Sequence, residues 1–195
     1  MTKGEETKKR IVNNALITFA TNGYEETSMK DIATRTNIKA PSIYAYFSSK
    51  DRLFEEVMDT TMLEYIHYIQ NIDNDLADLT TEAKLYNILI GLNEYFYNNS
   101  LGHFIKRFMI IPPKDFKDKF NTMYFEMEKA IKSLVNRVLN EGREEDNKFV
   151  NIDVIANSFL CILDGALMYL MNFSYEEYRR RLDDTWITFW NGIQK

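Results

Sequence analysis

The sequence predicts an all-α protein of about nine helices, with a three-helix amino-terminal domain over residues 1–54 and a longer helical body over residues 55–195. Three observations carry this. Seven Gly and three Pro in 195 residues fall well below the ~12% of average usage, so the chain has few breakers. Apolar residues recur at steps of three and four almost throughout, which is the helical period. No run alternates with the period of a strand, and no internal repeat appears.

The first helix shows the stripe Ile11, Val12, Ala15, Leu16, Phe19 and Ala20, and Asn22-Gly23 stops it, because Gly takes positive φ without a Cβ clash. Ser28 followed by Asp31 reads as a capping box opening a short second helix with Met29, Ile32 and Ala33 on its apolar face. Asn37 marks the next turn. Pro41 suits the first turn of a third helix running to Phe47, with Ile43 and Phe47 on one side. Ser48 with Asp51 repeats the capping pattern before a fourth helix that reaches Gln70.

Beyond a polar linker, Asp73 to Thr81, a fifth helix carries Leu85, Ile88, Leu89, Leu92 and Phe96. Asn98-Asn99-Ser100 interrupts it, and Pro112-Pro113 ends the short piece that follows. Phe116 to Val138 traces another helix stopping near Gly142, and Glu144 to Asn151 is a charged loop. The helix from Ile152 is apolar nearly all round, and Ser174 with Glu177 caps the last one, whose face holds Tyr178, Leu182, Trp186, Phe189, Trp190 and Ile193.

Composition bounds the function. With 45% hydrophobic and 27% charged residues the chain can bury a core, and no stretch approaches ~18 uninterrupted apolar residues, so no membrane association is expected. Met1 to Lys9 lacks the apolar core of a secretory signal. Cys161 is the single cysteine, which excludes an intrachain disulfide and agrees with a cytoplasmic location. His67 and His103 are isolated, and no Gly-rich phosphate loop or paired-His helix is present. No enzyme, metal site or cofactor is therefore expected.

The net charge of −5 conceals an asymmetry: residues 1–54 hold nine Lys/Arg against six Asp/Glu, whereas the remainder is strongly acidic. Such a basic head on an acidic body is what a phosphate-facing module joined to a different module shows. Its second and third helices, joined by a tight turn, form a helix-turn-helix with Lys39 before and Lys50 after the third helix.

Gly23-Tyr24, Thr27-Ser28-Met29, Asp31-Ile32-Ala33, Ile38 and the run Ser42 to Phe54 closely resemble the DNA-binding domain of TetR/AcrR-family regulators over residues 8–54. The resemblance implies a homodimer that places one recognition helix per subunit in successive major grooves of a palindromic double-stranded operator. It also implies repression until a small-molecule effector binds. Half-sites then lie about 34 to 36 Å apart, or multiples of that. Carried over by position, Ser42 reads base edges, Tyr44 and Tyr46 reach phosphates or thymine methyls, and Lys39 and Lys50 hold phosphates. Ala40, Pro41 and Ala45 line the same surface, and Thr27 and Ser28 contact phosphate at a helix N-terminus. Core packing is the alternative for Tyr44 and Tyr46. Asn37, Lys39, Pro41 and Ala45 depart from residues common in the family, which leaves few base-reading side chains and gives DNA shape a larger share of recognition.

In the body, the last two helices are expected to form the dimer face through Phe159, Leu163, Ala166, Leu167, Leu170, Trp186, Phe189 and Trp190. Effector contacts are expected from Tyr65, Tyr68, Tyr86, Leu89, Phe96, Phe104, Phe108, Met123, Tyr124 and Met127, an aromatic and Met set suited to a small lipophilic molecule. The competing function is a helical interaction module whose helix-turn-helix no longer binds DNA.

Overall fold

The computed structural model describes residues 2–98, 100–144 and 151–194, with backbone alone at 109, 143 and 144. Among the described residues the chain forms nine α-helices: α1 (Lys3–Asn22), α2 (Met29–Thr36), α3 (Ala40–Ile43), α4 (Lys50–Asn71), α5 (Thr81–Asn98), α6 (Ser100–Ile110), α7 (Lys117–Glu144), α8 (Ile152–Asn172) and α9 (Tyr175–Ile193). Short 3-10 turns at Asn74–Leu76 and Lys114–Phe116 complete the order, and no strand is present among these residues. Most of the charged loop expected at Glu144 to Asn151 lies outside them.

Local chemistry explains most of the boundaries. α1 begins well before its apolar stripe because Thr2 and Glu5 form a reciprocal capping box, and Lys and Glu are good helix formers in the exposed first turns. Its end is at Gly23, with φ 91° and its amide bonded to the Phe19 carbonyl. α2 opens on the expected Ser28–Asp31 box and closes on Asn37 at φ 58°, ψ 47°. α3 is shorter than predicted: the helix ends at Ile43, and a turn through Tyr46 follows in which the amides of Tyr46 and Phe47 both bond the Ile43 carbonyl at 3.0 Å. Lys39 supplies no side-chain cap, and so short a helix gains little from propagation.

α4 is capped by Ser49 rather than Ser48, its Oγ accepting from the Arg52 amide at 3.2 Å. Asp51 is thereby left for another partner.

The chain divides into two compact units, Met1–Glu64 with Asn98–Met123, and Tyr65–Tyr97 with Tyr124–Lys195. The unit holding α1–α3 is thus larger than the 1–54 segment, since it takes in the start of α4, α6 and the start of α7. Its core is centred on Phe54, which is fully buried and touches Phe19, Phe108 and Phe116 with ring centroids 4.9, 5.1 and 4.9 Å away.

In the second unit Ile155, Ala156, Phe159, Leu163, Ala166 and Leu170 form the inward stripe of α8, and Tyr178, Leu182, Trp186 and Trp190 that of α9. Gly142 is dictated by close approach, for a Cβ there would lie 2.4 Å from Thr81 Oγ1. By length and composition alone α8 would also pass for a membrane span, with an 18-residue window of mean hydropathy 1.8, as the core helix of a folded domain can. Asp164 keeps its uninterrupted apolar stretches short, as read from the sequence.

Candidate nucleic-acid interface

The helix-turn-helix is built by a chain of local commitments. Asn37 takes the left-handed backbone that reverses direction after α2, a conformation its short polar side chain tolerates. Arg10 on α1 reinforces the corner, its guanidinium donating to the Thr36 carbonyl at 2.7 Å. α3 then buries Ile43 and the following turn buries Phe47, and these two anchors turn the opposite side outward. Pro41, Ser42 and Ala45 are exposed there, and Lys39 precedes them in solvent. Tyr44 and Tyr46 are 55% and 36% exposed, so neither belongs to the core. Ala40 is half-buried.

The remaining three candidates divide. Ser28 is exposed and caps α2, which leaves the helix N-terminus facing solvent. Thr27 is buried, and its hydroxyl donates to the Gly23 carbonyl at 2.6 Å. Lys50 is half-buried and turned inward: its ammonium donates to the Tyr24 carbonyl at 2.9 Å and lies 4.3 Å from the centroid of the Tyr24 ring. Thr27 and Lys50 therefore hold the frame of the helix-turn-helix, while Lys39, Pro41, Ser42, Tyr44, Ala45 and Tyr46 make its outer surface.

Tyr24, given no site role from the sequence, is the centre of that frame. Its ring lies 4.8 Å from Phe54 and 5.3 Å from Phe116, and its hydroxyl donates to the Asp51 carboxylate. Burial, with the hydrogen bond to Asp51 adding to it, pushes the phenol well above its ordinary value. It stays neutral and keeps donating. On the opposite side of Gly23, Arg107 of α6 donates to the carbonyls of Ala20, Thr21 and Asn22 at 3.3, 3.0 and 3.2 Å.

Residues 11–57 match the model of bacterial regulatory proteins of the tetR family. The amino-terminal domain belongs to the TetR family. Over 82 residues the chain is 32% identical to the negative transcriptional regulator of the biofilm operon, IcaR, of Staphylococcus aureus strain Newman, covering 42% of this chain and 43% of IcaR. It is 24% identical over 140 residues to the probable transcriptional regulator YttP of Bacillus subtilis, covering 71% of this chain and 66% of YttP. The chain thus spans less than half the length of IcaR and just under two thirds of YttP. A crystal structure of a TetR-family regulator from Mesorhizobium loti shares the fold over the full length of both chains, with a TM-score of 0.80 at 19% identity.

The ligand candidates fall in both units. Phe104, Phe108 and Met123 are core residues of the first. In the second, Tyr65 packs against Tyr68 and Phe96, and Leu89 and Met127 are buried. Among the described residues the buried Tyr65 hydroxyl has no hydrogen-bond partner, and burial raises its pKa. Tyr86 is drawn aside by Asp183, and Tyr124, 39% exposed, lies 3.3 Å from the Asp164 carboxylate.

The dimer candidates are mostly interior. Phe159, Leu163, Ala166, Leu170, Trp186 and Trp190 are buried within the second unit, and Leu167 and Phe189 are half-buried. The large apolar residues that α8 and α9 leave outward are Val154, Met168, Tyr169, Tyr175 and Ile187, with Phe173 just past α8. Apolar periodicity marked these helices without telling the two sides of α8 apart.

Proposed function

We propose that this protein is a DNA-binding transcriptional regulator that acts as a homodimer in the cytoplasm, occupies the two halves of a palindromic operator and is released from it by a small lipophilic molecule. The observation that carries the reading is the outward surface of α3 and its turn. Ser42, Tyr44 and Tyr46 are in solvent beside Lys39, while Ile43 and Phe47 anchor the segment from within. An α-helix fits the major groove of B-DNA, and side chains so presented reach base edges and phosphates. The negative regulation named for IcaR supports repression as the sign.

The homodimer reading is supported by a seam along α8. Val154, Ser158, Cys161, Gly165, Met168 and Asn172 follow one another at steps of four and three. Val154 is 58% and Met168 50% exposed, and Cys161 is exposed midway. That spacing presents one straight stripe to a second helix. The aromatic surroundings of Tyr65, with its unpartnered hydroxyl, support an effector that is mostly apolar with one polar group.

A gel-shift titration with the DNA upstream of the protein's own gene, at several salt concentrations, tests the first part. Retardation that Tyr44→Ala weakens supports it. Absence of any shift favours the interaction module instead. A short bis-maleimide that joins two chains through Cys161, with loss of the joined species in Met168→Glu, tests the dimer.

A further inference from the structure

Helix α1 has a glycine cap at its C-terminus but no charge of its own there. Its last turn contains no basic residue to meet the carbonyls that every helix leaves unpaired at its C-terminus. The missing charge arrives from a helix more than eighty residues away in sequence, as Arg107 of α6 places its guanidinium across the carbonyls of Ala20, Thr21 and Asn22. Glycine at position 23 suits the fit: its φ of 91° is one that L side chains rarely adopt, and a Cβ there would lie 2.8 Å from Arg107 Nη2 and push the guanidinium aside.

The same corner holds the starts of two other helices. Gly23 accepts the Thr27 hydroxyl beside the Ser28 cap of α2. Tyr24 grips α4 by its first two residues, through its hydroxyl to Asp51 and through its carbonyl to the Lys50 ammonium. α2 and α4 flank α3 in the chain, so the residue that fixes this corner bears on both ends of the recognition segment.

We infer that Arg107 is a positioning residue for the helix-turn-helix: by clamping the end of α1 it fixes Gly23 and Tyr24, and through them the first turn of α4 behind α3. Arg107 touches no DNA in this scheme. For its bearing on affinity the inference rests on the DNA-binding reading; for the clamp it does not.

The experiment compares full-length wild type, Arg107→Ala, Arg107→Lys and, as a control, Lys119→Ala, which removes a cation paired with Asp59 in the same unit. Amide hydrogen exchange is followed at the last turn of α1 and at Arg52 to Phe54. Arg107→Ala is expected to speed exchange in both segments by about fivefold, matching the ~1 kcal/mol ascribed to a cation at a helix C-terminus. Arg107→Lys, which keeps the charge but not the planar fork, falls between. Lys119→Ala changes neither segment. Faster exchange confined to residues 20–23, or a uniform rise across the protein, overturns the inference.

Affinity for the upstream DNA is measured in parallel. Arg107→Ala is expected to weaken it by about fivefold, with the salt dependence unchanged because no phosphate contact is lost. A salt slope reduced by about one makes Arg107 a direct phosphate ligand and overturns the positioning role, as does unchanged affinity. Should wild type fail to retard the DNA, the DNA-binding reading falls, and the exchange data decide the clamp by themselves.

Discussion

The Tyr24 hydroxyl donates to the Asp51 carboxylate while the Lys50 ammonium sits over the same ring, 4.3 Å from its centroid. One aromatic side chain from the loop after α1 thus engages both of the residues that open α4. Ring and hydroxyl have separate duties, and variants separate them.

Tyr24→Phe keeps the packing against Phe19, Phe54 and Phe116 and deletes only the hydrogen bond. Because Asp51 is exposed and regains water, the expected loss is about 1 kcal/mol. Tyr24→Ala removes the ring as well, and about 3 kcal/mol is expected. Urea unfolding followed by far-UV circular dichroism measures both, and equal losses would show that the ring contributes nothing.

Asn37 is the only non-glycine residue with positive φ among the described residues. Asn37→Gly is expected to change stability by no more than a few tenths of a kcal/mol, whereas Asn37→Ala, whose Cβ meets the following carbonyl, loses about 1 kcal/mol. Thermal unfolding of the pair checks the sign, and equal melting temperatures would contradict the left-handed turn.

Phe54 lies at the junction of rings from α1, α6 and the chain around Phe116. Phe54→Ala is expected to cost about 3–5 kcal/mol, a large share of the ~5–15 kcal/mol that holds a domain folded. The variant's urea midpoint should fall sharply, and Phe54→Leu should recover most of the loss.

Acid should weaken the second unit through Glu177. Hydrogen bonds from Arg180 and Arg181 hold its carboxyl at about 2, against an ordinary 4.5. Between those values the unfolded chain takes up a proton that the folded chain does not, so this contribution is present above about 4.5 and is lost as pH falls toward about 2. Glu177→Gln should flatten that part of the acid-unfolding profile. The effect should shrink in high salt because the ion pair lies at the surface, with Glu177 half-buried and Arg180 exposed.

Much of the fold was legible because its signals are local. The Ser28–Asp31 box, the Asn37 turn, the Pro112-Pro113 stop and the Ser174 cap each involve residues within a few positions of one another. Ser48 and Ser49 differ by one step; Ser49 caps α4, and Asp51, the expected partner of Ser48, accepts from Tyr24 instead. The outward side of α3 was legible from the family resemblance. The inward roles of Thr27 and Lys50 were not, since they arise from contacts with Gly23 and Tyr24. Arg107 left a single trace, the lack of any basic residue in the last turn of α1. For α8, a helix apolar nearly all round, periodicity says that burial occurs without saying which partner supplies it.

Both tryptophans, Trp186 and Trp190, stand one turn apart on α9, stacked at 6.0 Å and nearly excluded from solvent. Indole emission therefore reports on the carboxy-terminal helix alone, and the helix-turn-helix, whose chromophores are tyrosines, is silent at that wavelength. Titrating DNA into the protein becomes an optical question with an unambiguous source: any change in tryptophan emission signals an event felt at α9, arising far along the chain from the surface proposed to meet the nucleic acid.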